Sequence, residues 1–381
     1  MNLDIKNYSV LQVLPHLNSG GLVSGAVEIS KALQKAGMNS FVASEGGRRE
    51  REITREGAKV IKLSLESKNP LTIILNSYKL SKIIKKYKIN IIHARSRAPA
   101  WSAYFAAKKM GIPFVTTFHG TYSKKNNFKK KYNSVMVKGE RVIAISKFIN
   151  NHILSNYNIV KDKLVTIHRG IDIDNFDYLK VSNERLIAFS KKFNIPEDIF
   201  VVLLPGRITR WKGHTLLIEA IAMLERPDIM CLFVGDLQGR KKYFKELQLL
   251  IDKFNKKNNF RIINNQIDMA AIYKLADVVV SASLDPEAFG RVVAEAQAMG
   301  RPTLAANHGG ASEIIIDGVT GWLFKAGDAI DLANKINKAL SLRQDDRKKM
   351  AINAIERIKL NFNNEMMCVK TLKVYEELVN K

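Results

Sequence analysis

Asp285-Pro286-Glu287-Ala288-Phe289-Gly290-Arg291-Val292-Val293-Ala294-Glu295-Ala296-Gln297-Ala298-Met299-Gly300 lies between two apolar runs, residues 278–284 before it and 302–306 after it. Both runs read as buried strands. Small and apolar residues recur at helical spacing over 289–299, and Gly300 with Pro302 ends that pattern. The stretch therefore predicts a βαβ unit with a Gly-bearing loop at the helix N-terminus. Backbone N–H groups there lack helical partners and the dipole is positive, so the turn suits a phosphate. Two carboxylates frame it. Glu287 stands just outside the predicted helix start and Glu295 eight residues on, about 12 Å along a helix rising about 1.5 Å per residue. That is about the span of a nucleotide sugar from its ribose hydroxyls to its hexose hydroxyls, with the pyrophosphate between.

Upstream, residues 201–204 predict a strand and 215–224 a helix, joined by Pro205-Gly206-Arg207-Ile208-Thr209-Arg210-Trp211-Lys212-Gly213-His214. Arg207 and Lys212, five apart in a Gly-flanked loop, can place two cations on one pyrophosphate. Strands follow at 231–234 and 261–264, and Asn265, Gln266 and Ile267 at the end of the second offer backbone groups to a base. A short helix is expected over 269–276, another opening at 309–313, a turn and strand over 318–323, and helix from 329 onward.

The first half has the same alternation. A strand at 9–14 leads through Gly20 and Gly21 to a helix over 26–36 and a strand at 40–43, a Rossmann-like opening without G-x-G-x-x-G. Further strands are predicted at 60–63 and 89–93, with a basic helix over 71–87 between them. Arg95 and Arg97 follow a strand end, where ligands gather in α/β sheets; they are candidates to hold an anionic acceptor or to solvate a loop. The strand at 114–118 ends in His119-Gly120, which places an imidazole where a ligand is reached. The run from Lys124 to Tyr132, dense in lysine with two aromatics, suits an anionic membrane surface or a plain solvated loop. Strands at 142–145 and near 165–167 complete the half. Asp172 and Asp174 spell D-x-D but stand at the exit of the half, and no metal site is expected there.

At 381 residues the chain suits two domains of roughly 180 residues each. No stretch reaches about 18 apolar residues, so no spanning helix is expected. The polar first eight residues do not read as a signal peptide. Cys231 and Cys368, far apart and without metal-ligand spacing, suit a reducing compartment. A net charge of +25 implies an anionic partner. Nucleic acid is not expected, because no helix-turn-helix, zinc or aromatic RNA-binding signature accompanies the charge.

The spelling E-x-F-G-x-x-x-x-E-A-x-A-x-G-x-P, Glu287 to Pro302, resembles the donor-site motif of family 4 glycosyltransferases, and Gly206 to Gly213 resembles their G-R-x-x-x-x-K-G. The resemblance implies the α/β GT-B fold, two Rossmann-like doubly wound domains facing a cleft. Domain limits of 1–178 and 179–364 are expected, with the helix 365–381 packing back on the first domain. It implies a retaining transferase moving a hexose from a nucleoside diphosphate sugar, without cofactor or metal. Arg207 and Lys212 would stabilise the leaving diphosphate, with Phe289, Gly290 and Arg291 beside it. Glu287 would orient the hexose and Glu295 the ribose, while Gln266 and Ile267 serve the base. Gly20 and Gly21 would face the donor phosphates, and His119 would contact the sugar from the other domain. LQVLPHLNSGG, IIHARSRAPAW and EAFGRVVAEAQAMGRP are most similar to transferases of lipopolysaccharide core assembly, including mannosyltransferases. That likeness implies GDP-mannose, an anionic glycolipid or cell-envelope glycan acceptor held by Arg95 and Arg97, and peripheral membrane contact on the cytoplasmic face. A UDP-hexose donor and a GT-B nucleotide-sugar epimerase are the alternatives.

Overall fold

In the computed structural model the described residues are 8–18, 20–122, 127–264 and 266–380. Ser19, Lys124, Lys125, Asn126 and Asn265, named above, lie outside them. The chain divides into two compact units, Met1–Gly170 with Asn364–Lys381 and Ile171–Asn363.

The first unit holds a seven-stranded sheet: β1 Ser9–Val13, β2 Asn39–Ser44, β3 Lys59–Lys62, β4 Ile91–Ala94, β5 Phe114–Phe118, β6 Arg141–Ala144 and β7 Leu164–Thr166. Its order is β3-β2-β1-β4-β5-β6-β7, all parallel. The second unit holds a six-stranded parallel sheet: β8 Phe200–Pro205, β9 Ile229–Val234, β10 Phe260–Ile263, β11 Val278–Ser281, β12 Thr303–Ala306 and β13 Trp322–Phe324, ordered β10-β9-β8-β11-β12-β13. Each is the doubly wound order, which reverses direction beside its first strand and leaves a crevice there. Helices cover both faces, so the central strands are apolar throughout rather than alternating. β9, Ile-Met-Cys-Leu-Phe-Val, is buried at every position.

Val202, Leu204, Phe233, Leu247 and Ile336 centre the second core. In the first, Val10, Ile29, Leu33 and Ile91 pack against Met367, Leu372, Tyr375 and Leu378 of the C-terminal helix Asn364–Val379. Tyr375 Oη meets His93 Nδ1 at 2.6 Å and Thr117 Oγ1 meets Nε2 at 2.7 Å, so His93 is a satisfied core residue. Both cysteines are buried free thiols.

Residues 171–178, placed with the first half by the sequence reading, belong to the second unit. Ile171 N–H donates to Phe362 O at 2.9 Å, and Phe176 packs edge-on against Tyr273. Two helix starts also shift. The first helix begins at Gly21, because Gly20 at φ 97° turns the chain into it, and the helix of the opening stretch begins at Arg291, because Gly290 takes φ 99°. The 12 Å rise estimated between Glu287 and Glu295 therefore does not apply: Glu287 lies in the loop, and only the last turn of that span is helical.

Candidate functional site

The two motifs of the second unit meet at the switch point of its sheet, because β8 and β11 are hydrogen-bonded neighbours and each ends in one of the loops. Leu284 N–H donates to Trp211 O at 2.7 Å, tying loop to loop. Gly213, at φ 73°, allows the closeness: a Cβ there would run into the backbone of Ala282.

Lys212 and Glu287 form the centre. Their side chains are 11% and 12% exposed, and Nζ lies 2.7 Å from Oε1. The same oxygen accepts from Ser283 Oγ at 2.5 Å and Ser281 Oγ at 3.2 Å. Burial opposes ionisation of Glu287, but the Lys212 ammonium and the serine hydroxyls outweigh it, and the carboxyl stays below its ordinary value. Lys212 Nζ also stands 4.5 Å from the centre of the Trp211 ring, which the Arg207 guanidinium approaches from 5.8 Å. Arg207 itself is exposed. One indole thus shelves both cations, one paired and buried, one open to an incoming anion. The loop carrying Glu287 is seated by Gly310, whose N–H donates to Glu287 O at 2.7 Å, and by His308, whose Nε2 meets Ser283 O at 2.7 Å.

Phe289 is buried, and Gly290, at φ 99°, caps the helix Arg291–Ala298. The helix thus opens one residue after the Phe289-Gly290 pair named from the sequence. Glu295, 7% exposed, accepts from Tyr273 Oη at 2.9 Å and pairs with Arg291 one turn earlier. Both carboxylates are held by the protein, Glu287 through Oε1 and Glu295 through both of its oxygens. Gln266 Nε2 bonds Asn264 O at 2.7 Å and Ile267 is fully exposed, ahead of the Asp268 cap on the helix Met269–Leu275.

In the first unit, Gly20 and Gly21 start the helix Gly21–Lys35 just beyond β1, and Arg169 donates to Gly21 O. Arg95 and Arg97 part company. Arg95, 4% exposed, donates Nε–H to Gln12 Oε1 at 2.7 Å, and its Nη2 is buried without a hydrogen-bond partner. Arg97, at the first position of the helix Arg97–Met110, donates to Asn133 Oδ1 at 3.0 Å and lies over the Tyr122 ring. The strand-to-helix turn at Ser96 sends the two apart. Arg95 instead shares a cavity of about 20 Å³ with His119 and Arg169, room for about one water. Both ring nitrogens of His119 are buried and unpartnered. Burial, then the charges of Arg169 and Arg95 and the His93 ring, hold this imidazole neutral, well below its ordinary range.

Asp172 Oδ1 accepts the N–H groups of Asp174 and Asn175, a turn, and Asp174 pairs with Lys180. The sequence reading did not pick out Ser281, Ser283, Tyr273, Trp211 or Arg169. The Ser-Ala-Ser at the end of β11 was the one available signal, since residues two apart on an extended chain share a side.

A family model described as glycosyl transferases group 1 matches residues 187–357, and one described as glycosyltransferase family 4 matches residues 19–175. The crystal structure of a glycosyltransferase from Rickettsia africae is 40% identical, with a TM-score of 0.92 over 98% of this chain and 99% of that one. An uncharacterised glycosyltransferase of Methanocaldococcus jannaschii is 28% identical over 316 residues, 81% of each chain. In fold, the chain also matches an Anabaena protein crystallised with UDP and glucose, at a TM-score of 0.85 and 22% identity over 98% of this chain and 100% of that one. With two doubly wound parallel sheets and both family models matched in tandem, the chain belongs to the group 1, family 4 glycosyltransferases of GT-B fold.

Proposed function

We propose that this glycosyltransferase moves a hexose, with retention at the anomeric carbon, from a nucleoside diphosphate sugar to an anionic glycolipid or cell-envelope glycan. The observation that carries the donor reading is the Lys212–Glu287 pair with Arg207 beside it at the sheet's switch point. The bond from C1 to the β-phosphate oxygen breaks, and the bond from C1 to the acceptor oxygen forms on the same face. The acceptor proton passes to the departing phosphate. Arg207, Lys212 and the first N–H groups of the helix Arg291–Ala298 take up the charge that develops on that phosphate, so no metal is needed. Glu287, fixed by Lys212 and two serines through Oε1, offers Oε2 to a sugar hydroxyl, and Glu295 serves the ribose. His119, Gly20 and Gly21 keep the roles that the family resemblance gives them.

We take mannose from GDP-mannose as the first donor, on the likeness to lipopolysaccharide core transferases, with the acceptor reached from the inner face of the cytoplasmic membrane. UDP-hexose is the second, favoured by the Anabaena protein's complex with UDP and glucose. Calorimetry with GDP and UDP, then transfer from each sugar nucleotide in excess EDTA, separates them. A preference for UDP above about tenfold, 1.4 kcal/mol, retires mannose. Loss of turnover on chelation, restored by magnesium, sinks the metal-free reading. Nucleoside diphosphate release without an acceptor product would favour an epimerase. Arg207→Ala and Lys212→Ala should each lower turnover about 100- to 1000-fold, as loss of one preorganised donor does.

A further inference from the structure

The helix Pro70–Lys86 carries two stripes, and the more apolar one faces out. Its buried side is Ile73, Asn76, Ser77, Leu80, Ser81 and Ile84. That side is half polar and satisfied locally: Asn76 Nδ2 donates to Ser64 O at 2.7 Å and Ser81 Oγ to Ser77 O at 2.9 Å. Leu71, Ile74, Leu75 and Tyr78, at the i, i+3, i+4, i+7 spacing of one helical face, are each between 53% and 71% exposed. Along the same face, the C-terminal half continues as Lys79, Lys82, Lys85 and Lys86, all exposed. Burying the weaker stripe and exposing the stronger one leaves a large apolar surface in water, which marks an interaction site.

The neighbouring helix extends it. Ser102 Oγ of Arg97–Met110 donates to Ile73 O at 3.1 Å, and Lys109 Nζ comes within 5.2 Å of the Tyr78 ring that Lys82 covers from 4.7 Å. Phe105 is exposed beside the half-buried Trp101 and Tyr104. Trp101 Nε1–H in turn donates to Tyr132 O at 2.9 Å, bringing up the short helix Asn127–Asn133 with exposed Phe128 and Lys129 to Lys131. Neither Pro70–Lys86 nor Arg97–Met110 contains an aspartate or glutamate.

We infer that this face is a docking surface for an anionic lipid bilayer, with the Leu71–Tyr78 ridge inserted among the acyl chains and the lysines at the phosphate level. A ridge of large aliphatic side chains on a single helix, lying flat over about 23 Å, fits a surface into which side chains can sink. Lysine stems lie along apolar surface and keep their heads in the polar layer, and the tyrosine and tryptophan rings suit that boundary. Nucleic acid offers nothing to the leucines, and a protein partner would need acids to meet the lysines. The sequence reading put membrane contact on Lys124 to Tyr132; the structure assigns the centre to the helix 70–86, with that run's described end at its flank. The inference deepens the membrane-borne acceptor proposed above and rests on that reading for its purpose, though not for its surface.

The test is flotation of the full chain with vesicles of phosphatidylcholine alone and of equimolar phosphatidylcholine and phosphatidylglycerol. The wild type should float with the anionic vesicles only. Leu71→Ser with Leu75→Ser should abolish binding at any salt. Lys82→Gln with Lys86→Gln should weaken it about thirtyfold, an effect erased at high salt. These side chains are exposed, so melting temperatures should hold. Failure of the wild type to float, or flotation of both variants like wild type, overturns the proposal. So does a wild-type dimer in sedimentation that L71S/L75S dissolves without any vesicle binding, which would make the ridge a contact between copies. Nucleotide affinity is read separately on all three proteins. It should be equal in them, and its absence with vesicle binding intact would sink the donor reading alone.

Discussion

Glu287 is the residue on which two loops converge, and its chemistry is readable in a titration. Replacing it with glutamine keeps an acceptor for Ser281 and Ser283 but leaves the largely buried Lys212 ammonium unpaired. Removing one partner of a buried pair costs about 3 kcal/mol. Because the folded carboxyl titrates below its ordinary value of 4.5, the pair's stabilisation is complete above that pH. It is lost as pH falls through the lower folded value. Urea unfolding of wild type and Glu287→Gln should therefore differ at neutral pH and converge in acid. A gap that stays constant with pH would mean the loss comes from packing. Phe289, Gly290 and Arg291 make a different point at the same scale. Their place at a helix start was legible, but the helix begins only at Arg291, because a glycine at positive φ starts it after itself.

At the scale of elements, the two switch-point loops are held together by a close approach that a side chain forbids. Gly213→Ala would add a strained left-handed residue and put its Cβ against Ala282, whose carbonyl carbon is 2.8 Å from that position. Gly318, at φ 75° with open space around its would-be Cβ, is the control. Gly318→Ala should lose only the left-handed cost of about 1–2 kcal/mol. Gly213→Ala should lose clearly more and, with the loop of Glu287 displaced, nucleotide affinity as well. Equal melting shifts for the two variants would show that the loops can part freely. Alternation of strands and helices was legible along the whole chain, since it depends on local periodicity. Helix starts were less so: the first helix begins at Gly21 rather than 26, because Gly21 and Gly25, poor helix formers, mask a first turn whose Val23 packs in line with Ala26 and Val27.

Across the described residues, His93 and His119 in the first unit and His214 in the second have ring nitrogens that burial holds neutral. Burial lowers the His214 value to about 4 and the other two well below the ordinary range. An unfolded chain takes up these protons near pH 6.5, before the folded one does. Stability is therefore complete above that value and falls as pH drops toward the folded values. His214 alone accounts for up to about 3 kcal/mol between pH 6.5 and 4. His214→Phe, which keeps a ring against Phe233 and Tyr243, should flatten the pH dependence of the second unit's unfolding. An unchanged slope would place the acid sensitivity elsewhere.

The sequence by itself determined the doubly wound α/β class and the positions of Arg207, Lys212, Glu287 and Glu295. Those readings rest on spacing along one chain: strand, glycine loop and helix recur at fixed intervals, and the charged residues sit inside them. Tertiary structure alone decided what each charge meets. Ser281 and Tyr273 reach the glutamates, Trp211 underlies two cations, and Arg95 turns inward to His119 while Arg97 turns away, all through contacts between strands and loops that spacing does not encode. The helix 70–86 is the clearest case. Its sequence carries two candidate apolar faces, and nothing local says which one is covered. Packing against Arg97–Met110 took the face with asparagine and serine, and left Leu71, Ile74, Leu75 and Tyr78 to the outside.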